Sequence, residues 1–303
     1  EREDTKRRTE NRGKKEKMKV IQARAMQCKA TPTGIRVLSL FDGISVGHDA
    51  LARAGFKIGK YYAAETNKYA LAVSQHNHPE TTQLGCIRAL GPGWLRELGQ
   101  IDMVLAAPPC QGFSNAGLHS EFAHSESALY YDFLRILRTV QPRWFLVENV
   151  RNPRLMMQLT GDLGVEPITI NSALVSAQSR IRVYWTNIPD VCQPSDKGIL
   201  LSGVIGAHDY VWRYPRGNFN RTVLDNITKS PTLTTSNWKQ NFRIGRSGGL
   251  EYFTAEQAEE LQTLPLGYTA SVSEKQRFRL VGNAWTLEVI THILSAVPAA
   301  AHN

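Results

Sequence analysis

The residues best suited to chemistry lie in one loop, whose sequence is Ala106-Ala107-Pro108-Pro109-Cys110-Gln111-Gly112-Phe113-Ser114. The apolar run before it, 101–105, predicts a buried strand, and two prolines end the strand pairing. A thiol at the carboxyl end of a central strand lies where open α/β sheets place their active sites. A lone cysteine is more often a small buried apolar residue than a nucleophile, so the interpretation of Cys110 depends on the other motifs.

A carboxyl group lies at the end of another predicted strand. The run 143–150 is mainly apolar, and Glu148 and Asn149 stand near its end. A cysteine and an acid on neighbouring strand ends predict covalent catalysis with assistance from the acid.

A nucleotide site is predicted near the start of the chain. A strand at 35–41 leads into a turn with glycines at positions 43 and 47, followed by a helix that Gly55 ends. The G-x-x-x-G spacing differs from the dinucleotide pattern G-x-G-x-x-G, which argues against NAD. Glu65 ends the next strand, where a carboxylate can accept both ribose hydroxyls of an adenosine cofactor. The alternative for Glu65 is an ordinary acid at a helix start, favoured by the helix dipole.

Alternating strands and helices predict an α/β fold with a doubly wound, mostly parallel sheet. Further helices are predicted at 126–140, 256–263, 273–280 and 287–297, and further strands at 168–175 and 183–185. We expect four regions: a basic arm or linker at 1–33, a catalytic domain at 34–188, a short loop-rich insert at 189–250, and C-terminal helices at 251–300 that return to the catalytic domain.

The composition is that of a globular protein with a polyanionic partner. The 303 residues carry a net charge of +9, which favours such a partner. Basic and aromatic residues alternate in the insert, as expected for a nucleic-acid surface, although the aromatics could instead form a small core. No apolar run is long enough for a membrane span, and no secretory signal is visible. The four cysteines form no C-x-x-C pair, so we expect neither a metal nor disulfides, and an intracellular location.

One reaction requires a thiolate, an acid and an adenosine cofactor together, namely methylation of a pyrimidine at C5. The C5 carbon is a poor nucleophile, and addition of a thiolate to C6 makes it enamine-like. An acid near N3 stabilises the charge that develops. The methyl group moves from the cofactor to C5, the C5 proton then leaves, and the thiol is eliminated.

Six motifs in fixed order resemble those of the cytosine-5 DNA methyltransferase family, and the match runs from 35 to about 297. They are Phe41-Asp42-Gly43 with Gly47, Glu65, Pro108-Pro109-Cys110-Gln111, Glu148-Asn149-Val150, Gln178 with Arg180 and Arg182, and Gly282-Asn283-Ala284. The short insert, with the runs 233–236 and 264–269, resembles the compact animal de novo enzymes and their phage and bacterial relatives.

The resemblance implies S-adenosylmethionine as cofactor, without a metal, and double-stranded DNA as substrate, with the cytosine flipped out of the duplex. The implied catalytic residues are Cys110, Glu148, Arg180 and Arg182. The implied cofactor contacts are Phe41, Asp42, Gly43, Ile44, Gly47, Glu65, Thr66, Ile87, Pro108, Asn283, Ala284 and Trp285. The implied substrate contacts are Pro109, Gln111, Ser114, Asn149, Gln178, Thr234, Thr235 and Arg243. A small recognition region touches little DNA, so a homo- or hetero-oligomer is a further expectation.

Two positions depart from the family pattern. The family commonly has an acid at the position of Cys86, where it contacts the adenine amino group, and a large apolar or aromatic residue at the position of Thr66. A thiol accepts a hydrogen bond less well than a carboxylate. The departures imply weaker cofactor binding, or an adenine held by other groups such as the backbone of Ile87.

Three other functions stay open. A catalytically inert DNA-binding homologue is one, although such members usually lose some of the catalytic residues, which are all present here. An RNA methyltransferase of the same fold is the second, although the Cys-Phe-Thr motif of members that act on transfer RNA is absent. A thymidylate-synthase-like enzyme is the third, and the glycine turn and the basic insert argue against it.

Overall fold

A seven-stranded sheet forms the centre of the computed structural model, which describes residues 34–109, 121–207, 210–213, 222–225, 228–235, 242–246, 249–299 and 302. Its strands are β1 (Ile35–Leu40), β2 (Ile58–Ala64), β3 (Thr82–Gln83), β4 (Met103–Ala106), β5 (Trp144–Asn149), β6 (Ile168–Asn171) and β7 (Ile181–Thr186). They lie in the order β3-β2-β1-β4-β5-β7-β6. Neighbours from β3 to β5 are parallel, and β7 runs antiparallel to both β5 and β6.

Helices cover both faces of this sheet. They are α1 (Val46–Arg53), α2 (Lys68–Asn77), α3 (Pro92–Glu97), α4 (Glu121–Val140), α5 (Pro153–Leu163), α6 (Leu201–Ile205), α7 (Ala255–Leu261), α8 (Glu274–Asn283) and α9 (Leu287–Leu294). None of the helices described here is long and apolar enough to cross a membrane.

The central strands are mainly apolar because both of their faces are buried. In β4, Met103 and Leu105 pack in the core under α1, α2 and α9, whereas Val104 and Ala106 pack in the core under α3, α4 and α5. This arrangement confirms the predicted doubly wound, mostly parallel fold.

One predicted strand ends earlier in the structure than expected, and several helices of the structure were not predicted. The strand predicted at 168–175 ends at Asn171, whose side chain accepts a hydrogen bond from the N–H of Ala173 at 3.0 Å and starts a 3₁₀ turn, Ser172–Leu174. Helices α3 and α5 were not predicted. Both begin with a proline in the first helical turn, a helix-start signal, and Asn152 caps α5 with bonds from two backbone N–H groups.

A second, antiparallel sheet lies in the later part of the chain. Its strands are β8 (Tyr210–Arg213), β9 (Thr222–Asp225), β10 (Phe242–Arg246) and β11 (Gly249–Tyr252), in the order β11-β10-β8-β9. After it, α7 begins with a capping box in which Thr254 and Gln257 exchange side-chain and backbone hydrogen bonds. Helix α9 then packs against α1, so the end of the chain returns to the first βα unit.

Candidate active site

A cavity of about 440 Å³ opens at the carboxyl ends of β1, β2, β4 and β5. Ligand sites in open α/β sheets lie at this edge. Fourteen of the predicted site residues line the cavity: Phe41, Asp42, Gly43, Ile44, Glu65, Pro108, Pro109, Glu148, Asn149, Arg180, Arg182, Asn283, Ala284 and Trp285. The fold therefore brings together residues that are up to 244 positions apart in sequence.

The glycine turn after β1 is held by a buried carboxyl group. The Asp42 carboxylate accepts hydrogen bonds from the hydroxyls of Tyr61, at 2.8 Å, and Ser45. Burial raises the pKa of Asp42, and these hydrogen bonds oppose the rise. Gly47 lies below the turn, where a Cβ atom would come within 2.6 Å of Leu105 Cδ1 and 3.0 Å of the Tyr61 hydroxyl. A Cβ atom at this position would require Leu105 to shift, so Gly47 favours the close packing of α1 on the sheet.

Glu65 forms one wall of the cavity at the end of β2. Its Oε2 accepts a hydrogen bond from the N–H of Gly43 at 2.9 Å, and its Oε1 accepts bonds from the N–H groups of Thr66 and Asn67, each at 2.7 Å. A carboxylate has about four lone-pair directions. Three backbone donors fix its orientation and leave capacity for a further donor from a ligand.

Glu148 lies in the opposite wall, near the end of β5, and is 8% exposed. Its Oε1 is 3.0 Å from Nε of Arg182, and its Oε2 accepts a hydrogen bond from Nε1 of Trp285 at 3.1 Å. One donor comes from β7 and the other from the segment between α8 and α9. The carboxylate is therefore held from two sides at the cavity wall.

Arg180 has a different role from Arg182, although the two are separated by only one residue. Its guanidinium is buried and donates to the carbonyl oxygens of Leu233, Gly282 and Ala284 at 3.0, 3.2 and 3.0 Å. Burial lowers its pKa to about 10, so it keeps its charge at neutral pH. Arg180 thus joins three distant segments at the cavity wall.

Gln178 stabilises the same part of the cavity wall, because it also contacts the segment of Leu233. It is fully buried, its Oε1 accepts from the N–H of Leu233 at 2.7 Å, and its Nε2 donates to the carbonyl of Leu261 at 3.0 Å. Gly282 lies so close to the segment of Leu233 and Thr234 that a Cβ atom on it would be 2.7 Å from the carbonyl carbon of Thr234. Gln178 therefore braces the wall and does not line the cavity.

The predicted nucleophile loop begins at the cavity. Asn149 Nδ2 donates to the carbonyl of Pro108 at 2.8 Å, which ties the start of the loop to the end of β5. Cys110, Gln111 and Ser114 lie outside the described residues.

Several other predicted residues lie away from the cavity lining. Thr66 and Thr234 are exposed, Thr235 is half-buried, and Ile87 is buried in the core under α3 and α4. The backbone of Arg243 lies in β10, opposite Trp212 and Tyr252; its side chain is outside the described set. Contacts of these residues with cofactor or DNA stay predictions.

Sequence reasoning missed part of the lining. The cavity is also bounded by Val46, Asn67, Ala70, Ala107, Leu129 and Leu280. Asn67 had a usable signal, because it precedes α2 and caps that helix through its side chain. The apolar members had none, since their patterns are those of ordinary core residues.

Comparison with known proteins supports the resemblance. The model of the C-5 cytosine-specific DNA methylases matches residues 35–158, which hold the glycine turn, Glu65 and Glu148. The chain is 26% identical over 312 residues to the type II methyltransferase M.NlaX of Neisseria lactamica, which covers 88% of this chain and 96% of that relative.

Other relatives match over shorter segments. The type II methyltransferase M.NgoPII of Neisseria gonorrhoeae is 35% identical over 117 residues, which is 38% of this chain and 33% of that protein. Solved structures agree in fold. A DNMT2 variant from Spodoptera frugiperda superposes with a TM-score of 0.66 and 19% identity, over 86% of this chain and 99% of that one. S. pombe Dnmt2 methyltransferase gives 0.67, over 86% and 97%.

Proposed function

We propose that this protein methylates C5 of a flipped-out cytosine in double-stranded DNA, with S-adenosylmethionine as the methyl donor. The observation that carries the proposal is the geometry of Glu148. Its carboxylate is held by Arg182 and Trp285 in the same cavity that contains Glu65 and the start of the Pro108-Pro109-Cys110 loop.

The cavity fits the cofactor in size and in chemistry. A volume of about 440 Å³ is within the range of small-molecule pockets, roughly 300–1,000 Å³. Glu65 offers a carboxylate for the two ribose hydroxyls, and Phe41, Pro108 and Trp285 offer apolar and aromatic surface. When bound, S-adenosylmethionine supplies an electrophilic methyl group.

Cys110 acts on the base in this proposal. Its thiolate adds to C6, which places electron density on C5. C5 would then take the methyl group as the S–CH₃ bond of the donor breaks, with S-adenosylhomocysteine as the leaving group. The C5 proton then leaves to a base, the C5–C6 double bond re-forms, and the thiolate is expelled. The hydrogen bond from the Asn149 side chain to the carbonyl of Pro108 holds the start of the loop beside the end of β5, where Glu148 lies.

Glu148 holds the pyrimidine edge. As N3 gains negative charge during thiolate addition, the Glu148 carboxyl group shares its proton with N3, and it takes the proton back when the thiolate is expelled. Arg182 and Trp285 fix the two oxygens, so the group need not reorganise when charge develops. Arg180 keeps this wall in place by donating to three carbonyl groups in two other segments, one at Leu233 and the other at Gly282 and Ala284.

The four sequence regions keep their proposed roles. Residues 34–188 would form the catalytic domain, 189–250 the target recognition region and 251–300 the returning helices, with 1–33 as a basic arm. Support comes from the separate four-stranded sheet, which contains strands between 210 and 252. Association with a second chain and an intracellular location stay predictions.

A mechanism-based trap tests the proposal. A mixed-sequence duplex in which 5-fluorocytosine replaces cytosine is incubated with the protein and tritiated S-adenosylmethionine, and the products are separated on a denaturing gel. Fluorine at C5 blocks the final elimination, so a labelled covalent adduct should accumulate. Cys110→Ala should abolish it, whereas Cys192→Ala, a change at an exposed cysteine, should leave it intact.

Other outcomes would contradict the proposal in distinct ways. An adduct formed only with a fluorinated RNA of the same sequence would replace DNA by RNA as substrate. An adduct that persists in Cys110→Ala would refute the nucleophile. Absence of both the adduct and cofactor binding by calorimetry would favour an inert homologue.

A further inference from the structure

A cluster of metal-binding side chains lies away from the cavity, between α1 and the segment that follows α2. His48 is in α1, His78 follows α2 directly, and Glu80 comes two residues later. His48 Nε2 lies 3.0 Å from Glu80 Oε1, and His78 Nδ1 lies 3.9 Å from the same oxygen. One ligand atom from each of the three residues lies within 4.8 Å of the other two. Ligands of a tetrahedral zinc ion stand about 3.3 Å apart, given metal–ligand bonds of about 2.0–2.2 Å.

A carboxylate behind the cluster orients His78. Its Nε2 lies 2.9 Å from Asp49 Oδ2, and the hydroxyl of Tyr268 donates to that same oxygen at 2.6 Å. An Nε2–H bond to Asp49 leaves the Nδ1 lone pair of neutral His78 directed towards Glu80. Metal-binding histidines are usually held in this way, with the second ring nitrogen donating to a carboxylate.

Burial and charge also suit a cation. The side chains of His48 and His78 are 12% and 9% exposed, whereas that of Glu80 is 59% exposed and leaves access from solvent. Glu80 supplies a carboxylate, and the two imidazoles would bind the ion in their neutral form, which is the form that ligates metals.

We propose that His48, His78 and Glu80 bind a divalent transition-metal ion of the zinc class, with water completing the coordination. Two imidazoles and one carboxylate are a donor set that suits zinc better than calcium or magnesium, which prefer oxygen ligands. The rings are stacked with centroids 4.0 Å apart and planes at 28°, so binding requires the two imidazoles to rotate apart until both lone pairs meet the ion.

The site would join two parts of the cofactor-binding region. Helix α1 starts directly after the glycine turn. The hydroxyl of Tyr268, from the C-terminal part of the chain, lies 2.6 Å from Asp49 Oδ2 and 3.0 Å from the carbonyl oxygen of Ile44. A bound ion would therefore stabilise the arrangement of α1 around the turn. It has no part in methyl transfer, and the expectation of a reaction without a metal cofactor is separate from it.

Zinc binding to the full chain tests the proposal. Calorimetry with zinc chloride should show one tight site, and cobalt(II) should give the visible absorption of a tetrahedral complex with nitrogen ligands. Glu80→Gln and His48→Gln should each weaken zinc binding at least tenfold and abolish the cobalt spectrum. His76→Gln and Glu166→Gln, at exposed neighbouring and distant positions, should leave both unchanged.

The controls separate a built site from surface binding. Glu80→Gln changes an exposed side chain, so it tests the ligand set even where a histidine variant unfolds. A cobalt spectrum retained in Glu80→Gln, or zinc affinity lost equally in His76→Gln, would mean adventitious binding and would overturn the proposal. An absence of zinc binding by wild-type protein would also overturn it, and His78 would then serve only as a hydrogen-bonding partner of Asp49.

Discussion

Replacement of Glu148 by glutamine tests how the active-site wall works. The amide can still accept the hydrogen bond from Trp285 through its oxygen, which turns its NH₂ group towards Nε–H of Arg182. Two donors then face each other, and Arg182 loses its counter-charge. We expect Glu148→Gln to fold, but with lower stability and with much slower formation of the fluorocytosine adduct.

The magnitudes follow from the contacts. A hydrogen bond to a charged group contributes about 1.5–3 kcal/mol. The side chains of Arg182 and Glu148 are 16% and 10% exposed, so water replaces little of the lost interaction. We therefore expect a loss of about 2–3 kcal/mol in the free energy of unfolding. Loss of the acid should slow adduct formation by about 10²–10⁴-fold, the usual contribution of general acid catalysis.

Two measurements separate structure from catalysis. Urea denaturation of Glu148→Gln, Arg182→Gln and the double variant gives a coupling energy, expected at about 1–3 kcal/mol for residues in contact. Single-turnover adduct formation gives the rate for each protein. Glu166→Gln, at an exposed position, is the matched control and should change neither quantity measurably.

Either of two results would refute the reasoning. If Glu148→Gln lost stability as expected but formed the adduct at the wild-type rate, the ion pair would be a structural brace without a role at N3. If the coupling energy were near zero, the contact between Arg182 and Glu148 would not determine the position of the carboxylate.

Three further predictions concern the glycine turn, the cavity wall and the cofactor site. Burial raises the pKa of Asp42 above 3.8 in the folded protein, so Asp42 ionises at lower pH in the unfolded chain, and the stability of the wild type should fall relative to Asp42→Asn as pH rises from 3.8 through the folded pKa. Urea midpoints of the two proteins that differ by a constant amount at every pH would contradict this. Gly282→Ala should destabilise the protein by about 1–3 kcal/mol in urea denaturation, because its Cβ would meet the backbone of Thr234. The control Gly161→Ala, at an open position in α5, should stabilise the protein by up to about 1 kcal/mol. Cys86→Asp should tighten S-adenosylmethionine binding in calorimetry; unchanged affinity together with higher stability would show only that the aspartate caps the 3₁₀ turn that begins at Ile87.

Local sequence patterns predicted most of the scaffold. The apolar runs that became β1, β4 and β5 were visible because strands buried on both faces are mainly apolar. The polar residues at their ends were visible as interruptions of those runs. Helix α5 was missed although Asn152 and Pro153 mark its start, and the end of β6 was misplaced because Asn171 starts a turn through its side chain.

The sequence by itself determined which chemical groups are present and at which strand ends they lie, because these depend on residue type and short-range periodicity. The tertiary structure alone decided their partners. Arg180 and Arg182 are the same residue type two positions apart, yet one donates to three backbone carbonyls and the other pairs with Glu148. Trp285 reaches Glu148 from 137 positions away, and the ligand cluster of His48 and Glu80 joins two separate segments. Such contacts follow from strand order and helix packing over long sequence separations, which no local pattern encodes.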